Sequence, residues 1–400
     1  MILAVCFTNL GPYHLARLRS LAHRLREKGD HLVAYETAGT ERTYPWQRSQ
    51  RDEPFEWVTL FPDQMLEDLA PRACAQAMSR VLARDLPDLV AVAGYARPES
   101  VAAARWARTN QRPAILMSES QRMDHPRVWW KEIVKQRRIR LFNAALVGGP
   151  THLSYLTELG MPRSAIRVGY NAVDNSYYET RANQARNRPA RPPEIPSGPY
   201  FLSVCRFVPA KNLDRLVKGF ISYYRKMQEA APWDLVICGD GPLFPEIRDS
   251  IARGDCSRAI HCPGFMQAEE LACWYAHASA FVLPSLSEPW GLVANEAAST
   301  GLPLLISNRA GCAQTLVPKP EGTTGAQFDP LDVQEIASKL TWLSMASAQV
   351  RRAMGQRARE LVQAWGPERF ATGMVDAMAI AMAEVGKPPR VSCSKAGVAL

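Results

Sequence analysis

The densest cluster of chemistry-bearing residues is Pro284-Ser-Leu-Ser-Glu-Pro-Trp-Gly-Leu-Val-Ala-Asn-Glu-Ala-Ala-Ser-Thr-Gly301, which holds Glu288 and Glu296. A short apolar run, Ala280–Leu283, has the character of a buried strand, and a loop holding Glu288 follows it. Pro289 suits the first turn of a helix, which would place Glu296 inside that helix. The N–H groups of Gly291, Leu292 and Val293 would then lie at the positive helix end, a seat for phosphate. Gly291 lets the backbone come close. Glu288 would stand beside whatever that phosphate carries. Glu296, about two turns further in, could accept hydrogen bonds from ribose hydroxyls. Two solvated surface glutamates would show the same spacing, so the spacing alone does not decide.

A second pair, Arg206 and Lys211, lies just past the strand-like run Tyr200–Cys205. Two cations at a strand end and a helix start can clamp a diphosphate, although an ordinary pair of helix-start charges reads the same way. Downstream, Cys238-Gly-Asp-Gly-Pro-Leu243 and His261-Cys-Pro-Gly-Phe-Met266 are tight strand-to-helix turns.

Taken in order, Arg206-x4-Lys211, Gly239-Asp-Gly-Pro242, Gly264-Phe265, Pro284-Ser-x-x-Glu288-x7-Glu296-Ala and Gly301-x-Pro303 resemble the retaining glycosyltransferases of family 4. The likeness runs from about Tyr200 to Leu340. It implies an α/β chain of the GT-B fold, two facing Rossmann-like doubly wound domains with a cleft between them. It also implies transfer from a UDP- or GDP-sugar with retention, with no cofactor. By resemblance, Glu288 contacts the donor sugar, Glu296 the ribose, and Arg206 and Lys211 the diphosphate. Gly239, Gly264 and the backbone near Phe265 and Met266 belong to the donor side, the last two at the base edge. No Asp-x-Asp occurs, so no catalytic metal is implied.

The amino-terminal half departs from the family. After the first strand it reads Thr8-Asn-Leu-Gly-Pro-Tyr-His14, with one glycine where relatives commonly have two. Gly11 is a candidate for donor approach. His14 is a candidate donor contact or a plain helix-start histidine. Where many relatives carry a histidine near the donor sugar, this chain has Glu119 or Ser120, and Glu119 is the candidate for donor or acceptor contact. Arg122, Asp124 and His125 follow as weaker candidates. Arg127–Phe142 holds Trp129-Trp130 and five later Lys/Arg against one Glu. That pattern fits a helix lying on an anionic membrane, or a packed helix with solvated cations.

The elements that must position these residues follow from periodicity. Ile2–Phe7, His31–Tyr35, Leu89–Ala93, Ala114–Met117 and Ala144–Val147 are strand candidates alternating with helical segments, the first helix running from about Pro12 to Lys28. The alternation implies a parallel sheet covered on both faces. Residues 181–198, rich in proline and charge, are expected to be a linker. The alternation then restarts with Tyr200–Cys205, Leu235–Cys238, Phe281–Leu283 and Leu304–Ile306. The expected division is an acceptor-side domain over 1–180, a nucleotide-sugar domain over 199–365, and a helix over 366–386 returning to the first domain. A mobile tail is expected over 387–400.

Apolar residues are 47% and charged residues 22%, the balance of a folded globular chain. The formal charge of +9 admits an anionic ligand or surface and selects none. No recognised nucleic-acid module accompanies it. Nine scattered cysteines without a Cys-x-x-Cys pair suggest buried thiols in a reducing cytoplasm. Met1–Phe7 is expected to be a strand, not a signal peptide. The expected function is glycosyl transfer to a glycan or lipid-linked acceptor. A GT-B epimerase or phosphorylase, and a catalytically inactive sugar-nucleotide scaffold, are the alternatives.

Overall fold

The computed structural model describes residues 1–42, 52–124 and 126–384, so the expectations for His125 and for the tail over 387–400 lie outside the described residues. The chain forms two compact units. The first holds strands β1 (Ile2–Phe7), β2 (His31–Thr40), β3 (Glu56–Met65), β4 (Leu89–Ala93), β5 (Ala114–Ser118), β6 (Ala144–Val147) and β7 (Ile166–Val168). Its helices are α1 (Pro12–Arg26), α2 (Pro71–Asp85), α3 (Pro98–Thr109), α4 (Trp129–Ile139) and α5 (Pro150–Glu158). Four of these begin with a proline, whose fixed φ and missing N–H cost nothing in a first turn.

All pairings are parallel, in the order β3-β2-β1-β4-β5-β6-β7. The central strands are apolar along their whole length, as a sheet covered on both faces requires. β3 is half-exposed and sits at the sheet edge, and its mixed pattern hides it from a periodicity reading.

The first helix of the second unit is α6 (Asn175–Arg186). Then follow β8 (Tyr200–Val204), α7 (Leu213–Lys226), β9 (Asp234–Cys238), α8 (Phe244–Ala252), β10 (Ile260–Gly264) and α9 (Ala268–His277). β11 (Ala280–Leu283), α10 (Leu292–Ser299), β12 (Leu304–Ser307), α11 (Ala313–Leu316), β13 (Gly325–Phe328), α12 (Val333–Met345) and α13 (Ala348–Gln363) complete it. Its sheet is parallel, ordered β10-β9-β8-β11-β12-β13. The core is built on Phe201, Phe220, Tyr223 and Leu340, all fully buried.

Helix α14 (Pro367–Glu384) starts in the second unit, and from Phe370 onward it belongs to the first. There Phe370 packs its ring 6.3 Å from that of Tyr170. Gly373 lies where a Cβ would meet Leu146 at 2.7 Å.

Two boundaries differ from expectation. Residues 181–186 are not linker: they are the second half of α6, capped by Asp174, which accepts from the Tyr177 N–H at 3.0 Å. α6 packs through Ala182 and Ala185 against Ala276, and Arg186 binds the carbonyls of Ala276 and Thr300 at 2.9 and 2.7 Å. Its small buried residues leave no apolar stripe to read. Nor is 1–180 one uninterrupted domain, because residues 121–126 and 171–180 belong to the second unit.

Candidate functional site

Both sheets reverse strand order beside their first strand, at β1/β4 and at β8/β11. Ligands of open α/β sheets bind outside the carboxyl ends of strands at such points. In the second unit, Arg206 follows β8 and Glu288 follows β11, so the switch point itself brings the two candidate groups together.

The turn after β8 is tightly fixed. Gly239 has φ 137°, and a Cβ there would lie 1.9 Å from the Cys205 carbonyl oxygen. Only glycine allows the Gly239-Asp-Gly turn to press against Cys205 and Phe207. Phe207 N–H donates to the Asp240 carbonyl at 2.8 Å, and Gly239 N–H to the Gly264 carbonyl at 2.8 Å. Phe265 beyond it is exposed and Met266 half-buried. Lys211 ends a short 3₁₀ turn, Pro209–Lys211, and the amide of Asn212 donates to the carbonyls of Pro284 and Pro330. Leu286 N–H reaches back to the Ala210 carbonyl at 2.8 Å, lacing this turn to the Glu288 loop.

Lys211 Nζ donates to Glu288 Oε2, and the Ser285 hydroxyl donates to the same oxygen at 3.1 Å. The Glu288 backbone is held as well. It forms a parallel bridge with Ala310, and its carbonyl accepts from Gly311 N–H at 3.0 Å and from the Gln121 side chain at 2.9 Å. Gln121 is buried, and Ser287 donates to the Asp124 carbonyl at 3.2 Å, so residues 121–124 buttress this loop. Gln121 was not anticipated from sequence: its partner lies 167 residues away. Asp124, a weaker candidate, caps Gln121 N–H at 2.8 Å.

The helix after Glu288 opens later than Pro289. Cys312 N–H bonds the Trp290 carbonyl at 3.1 Å, so residues 288–290 are held beside 310–312 and the helix starts at Leu292. Gly291 is its N-cap with φ 99°, and a Cβ there would meet Leu283 at 2.7 Å. Gly291, Leu292 and Val293 therefore do occupy the opening of α10. Glu296 is its fifth residue, about one turn in rather than two, 1% exposed, and its Oε2 accepts from the Tyr275 hydroxyl at 2.8 Å. Tyr275 is a further residue that the local motif does not reveal. Two thiols flank the site. Burial pushes Cys205 up to about 12 and raises Cys312 too, which keeps both neutral and poor nucleophiles.

The first unit has its own cluster. The loop after β1 is pinned by buried Glu36, which accepts from Leu10 N–H at 3.0 Å and from the Thr59 hydroxyl at 2.6 Å. Gly11 is the N-cap of α1, and its N–H donates to His14 Nδ1 at 3.1 Å. His14 thus closes the helix start, with its ring 4.5 Å from Phe7. Burial, aided by Arg17, lowers it to about 3. One turn on, Arg17 is 1% exposed, its guanidinium 5.1 Å from the centre of the Tyr170 ring. Burial lowers the Arg17 pKa, while Tyr170, Glu119 and Tyr13 favour its charge. Glu119, one residue past β5 and half-buried, therefore sits in the field of a buried cation, a partner that the sequence did not single out.

Among the described residues, no cluster of three His, Cys, Asp or Glu could hold a metal ion. No helix of these residues is long and apolar enough to cross a membrane.

Two Rossmann-like parallel-sheet units, with paired cations and an acidic loop at a switch point, define the fold class of GT-B glycosyltransferases. Residues 186–361 match the family described as glycosyl transferases group 1. A sulfoquinovosyl transferase of Arabidopsis thaliana is 31% identical over 195 residues, 49% of this chain and 36% of that protein. A GDP-mannose-dependent alpha-(1-6)-phosphatidylinositol monomannoside mannosyltransferase of Mycobacterium tuberculosis is 30% identical over 188 residues, 44% of this chain and 46% of that protein. The chain thus spans less than half the length of these relatives. Anabaena HepE, solved in complex with UDP and glucose, aligns with a TM-score of 0.71 at 17% identity, covering 95% of this chain and 99% of its own.

Proposed function

We propose that this chain is a retaining, metal-independent glycosyltransferase that moves a sugar from a UDP- or GDP-sugar to a glycan or lipid-linked acceptor. The observation that carries the reading is the Lys211–Glu288 pair at the β8/β11 switch point, with the opening of α10 beside it. A diphosphate bound there would meet Arg206, Lys211 and the N–H groups of Gly291, Leu292 and Val293. As the glycosidic bond breaks, negative charge grows on the leaving diphosphate, and these donors stabilise it without reorganising. A cationic clamp performs the neutralisation that a metal ion performs elsewhere. Glu288, released from Lys211 by the incoming phosphate, turns to the donor sugar. The acceptor attacks from the leaving-group side, and the departing phosphate takes its proton, so the configuration is retained and no enzyme nucleophile is needed. Glu296, oriented by Tyr275, holds the ribose. Gly239, Gly264, Phe265 and Met266 line the base side. Glu119, in the field of the buried Arg17, together with Gly11 and His14 at the β1 turn, is the first unit's proposed contact with the donor or acceptor.

The lipid-linked acceptor draws support from the phosphatidylinositol named for the mycobacterial relative and from α4, whose outer face carries Trp129, 75% exposed, and Trp130, 51% exposed. The setting proposed with this reading is the cytoplasm, peripheral at an anionic membrane, in polysaccharide or glycoconjugate synthesis. The test is titration with UDP-, GDP- and ADP-sugars, followed by NMR of the product's anomeric carbon. Binding without turnover would favour the scaffold alternative, and an inverted product would reject retention.

A further inference from the structure

An open cavity of about 640 Å³ lies in the second unit, away from Arg206 and Lys211 in sequence and lined by Met123, Asn308, Arg309, Gln314 and Lys319, among others. Its size is that of a small-molecule site. It lies at the carboxyl ends of β12 and β13, since Asn308 follows β12 and Asp329, also on its wall, follows β13.

Its walls are built from the segments that hold Glu288. Ala310, one residue past Arg309, forms the bridge with Glu288, and Gly311 N–H bonds the Glu288 carbonyl. Met123 comes from the stretch whose Gln121 donates to that same carbonyl. The cavity therefore opens beside the loop of the candidate catalytic carboxylate.

The chemistry of the lining is specific. Gln327 is spent on structure, with its amide donating to the carbonyls of Ala313 and Val317. Asp329 accepts from Leu331 N–H at 2.9 Å. Among the described residues, no hydrogen bond or ion pair engages the side chains of Asn308, Arg309, Gln314 and Lys319. Two amides offer both donors and acceptors, as sugar hydroxyls require. Met123, 59% exposed, offers an apolar surface for a ring's C–H face. The guanidinium fork of Arg309 and the ammonium of Lys319 outnumber the Asp329 carboxylate on the same wall and favour an anion, because Arg pairs carboxylate or phosphate in two parallel bonds.

We propose that this groove is an acceptor subsite for an anionic sugar residue, one bearing carboxylate or phosphate, seated next to the Glu288 loop. It rests on the glycosyltransferase reading and extends it by naming the class of acceptor. The groove lies one and two strands beyond β11, so a glycan presenting its end at Glu288 can run outward across β12 and β13.

The experiment is a set of calorimetric titrations of the full chain with trigalacturonate, glucose 6-phosphate and neutral maltotriose, repeated on the double variant R309Q/K319Q. One of the two anions is expected to bind saturably and salt-sensitively, roughly tenfold more tightly than maltotriose. Which one binds tells carboxylate from phosphate. The double variant is expected to lose about tenfold for that anion and to bind UDP unchanged. Equal affinity for maltotriose, anion binding that survives the double substitution, or no saturable binding of either anion overturns the subsite. A wild-type chain that binds no nucleotide would instead overturn the glycosyltransferase reading, a separate result from the saccharide titrations.

Discussion

Lys211 and Glu288, 77 residues apart in sequence, neutralise one another at the β8/β11 switch point, with side chains only 19% and 10% exposed. A desolvated pair of this kind contributes little net stability while intact, but breaking one half leaves a buried charge uncompensated. The same two groups are the proposed diphosphate clamp and sugar contact, so an anion bound there would compete with Glu288 for Lys211.

Removing the clamp should cost turnover. Arg206→Ala or Lys211→Ala is expected to lower kcat about 100-fold or more, the size of losing one preorganised charge contact. Lys211→Ala should also lower stability by about 3 kcal/mol, because Glu288 is left with the Ser285 hydroxyl as its side-chain partner. The double variant K211A/E288A should regain most of that stability and none of the activity. Denaturant melts and steady-state rates check both halves. A fully active Lys211→Ala enzyme would remove the clamp from the mechanism.

The two glutamates should separate by ligand. Glu296→Gln keeps an acceptor for Tyr275 but loses its charge, and is expected to weaken free UDP or GDP and the sugar donor alike. Tyr275→Phe should weaken the nucleotide by about tenfold, the worth of one hydrogen bond to a carboxylate, here the bond that orients Glu296. Glu288→Gln should leave free-diphosphate binding nearly intact and depress transfer. Identical free-diphosphate titrations for the two Gln variants would refute this division.

His14 makes stability depend on pH. Its folded pKa, about 3, lies below the unfolded value of 6.5, so the unfolded chain takes up the proton first as pH falls. The stability it contributes is complete above about 6.5 and declines as pH drops toward 3. At pH 5 the loss is about 2 kcal/mol, on 1.36 kcal/mol per unit. His14→Gln is expected to melt at a temperature that changes less between pH 7 and pH 5 than the wild type does. Equal shifts in both proteins would show that His14 is not the group responsible.

The parts of this architecture that sequence reveals are those carried by local pattern. The ends of β1, β4, β6 and α14 follow from apolar runs and from proline at helix starts. Arg206, Lys211, Glu288 and Glu296 are legible because each lies within a few residues of a strand end or helix start. What escapes is contact at long range. Gln121 reaches Glu288 across 167 residues, and Tyr275 reaches Glu296 across a strand and a loop. Arg17 looks like one more polar residue of α1, yet it is buried against Tyr170, the last residue of the first unit before the chain leaves it. Pro289 misleads because pairing of 288–290 with 310–312 delays the helix that its local chemistry favours.

Activity is expected to withstand EDTA, since in the proposed mechanism Arg206 and Lys211 neutralise the leaving diphosphate. The check is the initial rate after dialysis against chelator, with and without added magnesium or manganese. A complete loss restored by metal would overturn the metal-independent mechanism.

Helix α4 should dock on anionic membranes, because four large apolar side chains stand on its exposed face. Beside buried Ile139, its inner face carries a polar network: Glu132 accepts from Tyr155 at 2.7 Å and from Lys135 at 2.8 Å, and Arg127, just before the helix, donates to Tyr155 at 2.6 Å. Tyr155 is 2% exposed, so this network fixes which side of α4 faces the unit. Trp129, Trp130, Ile133 and Val134 are left pointing to solvent, 75%, 51%, 39% and 37% exposed, among exposed Lys131, Arg137 and Arg140. Two tryptophans and two aliphatic residues ringed by cations match the headgroup boundary, where aromatic rings and basic side chains both find partners. Each basic residue near an anionic surface contributes about 1 kcal/mol, and screening confines that pull to about 8 Å at physiological salt. Vesicles containing phosphatidylglycerol are therefore expected to sediment the protein at low salt and release it at high salt, whereas neutral vesicles should not. Trp129→Ser with Trp130→Ser should reduce the binding seen at low salt. Lys131, Arg137 and Arg140 changed to Gln should abolish the salt-sensitive part, with glycosyl transfer to a soluble acceptor unchanged. Vesicle binding that survives both sets of substitutions would show that α4 is not the anchor.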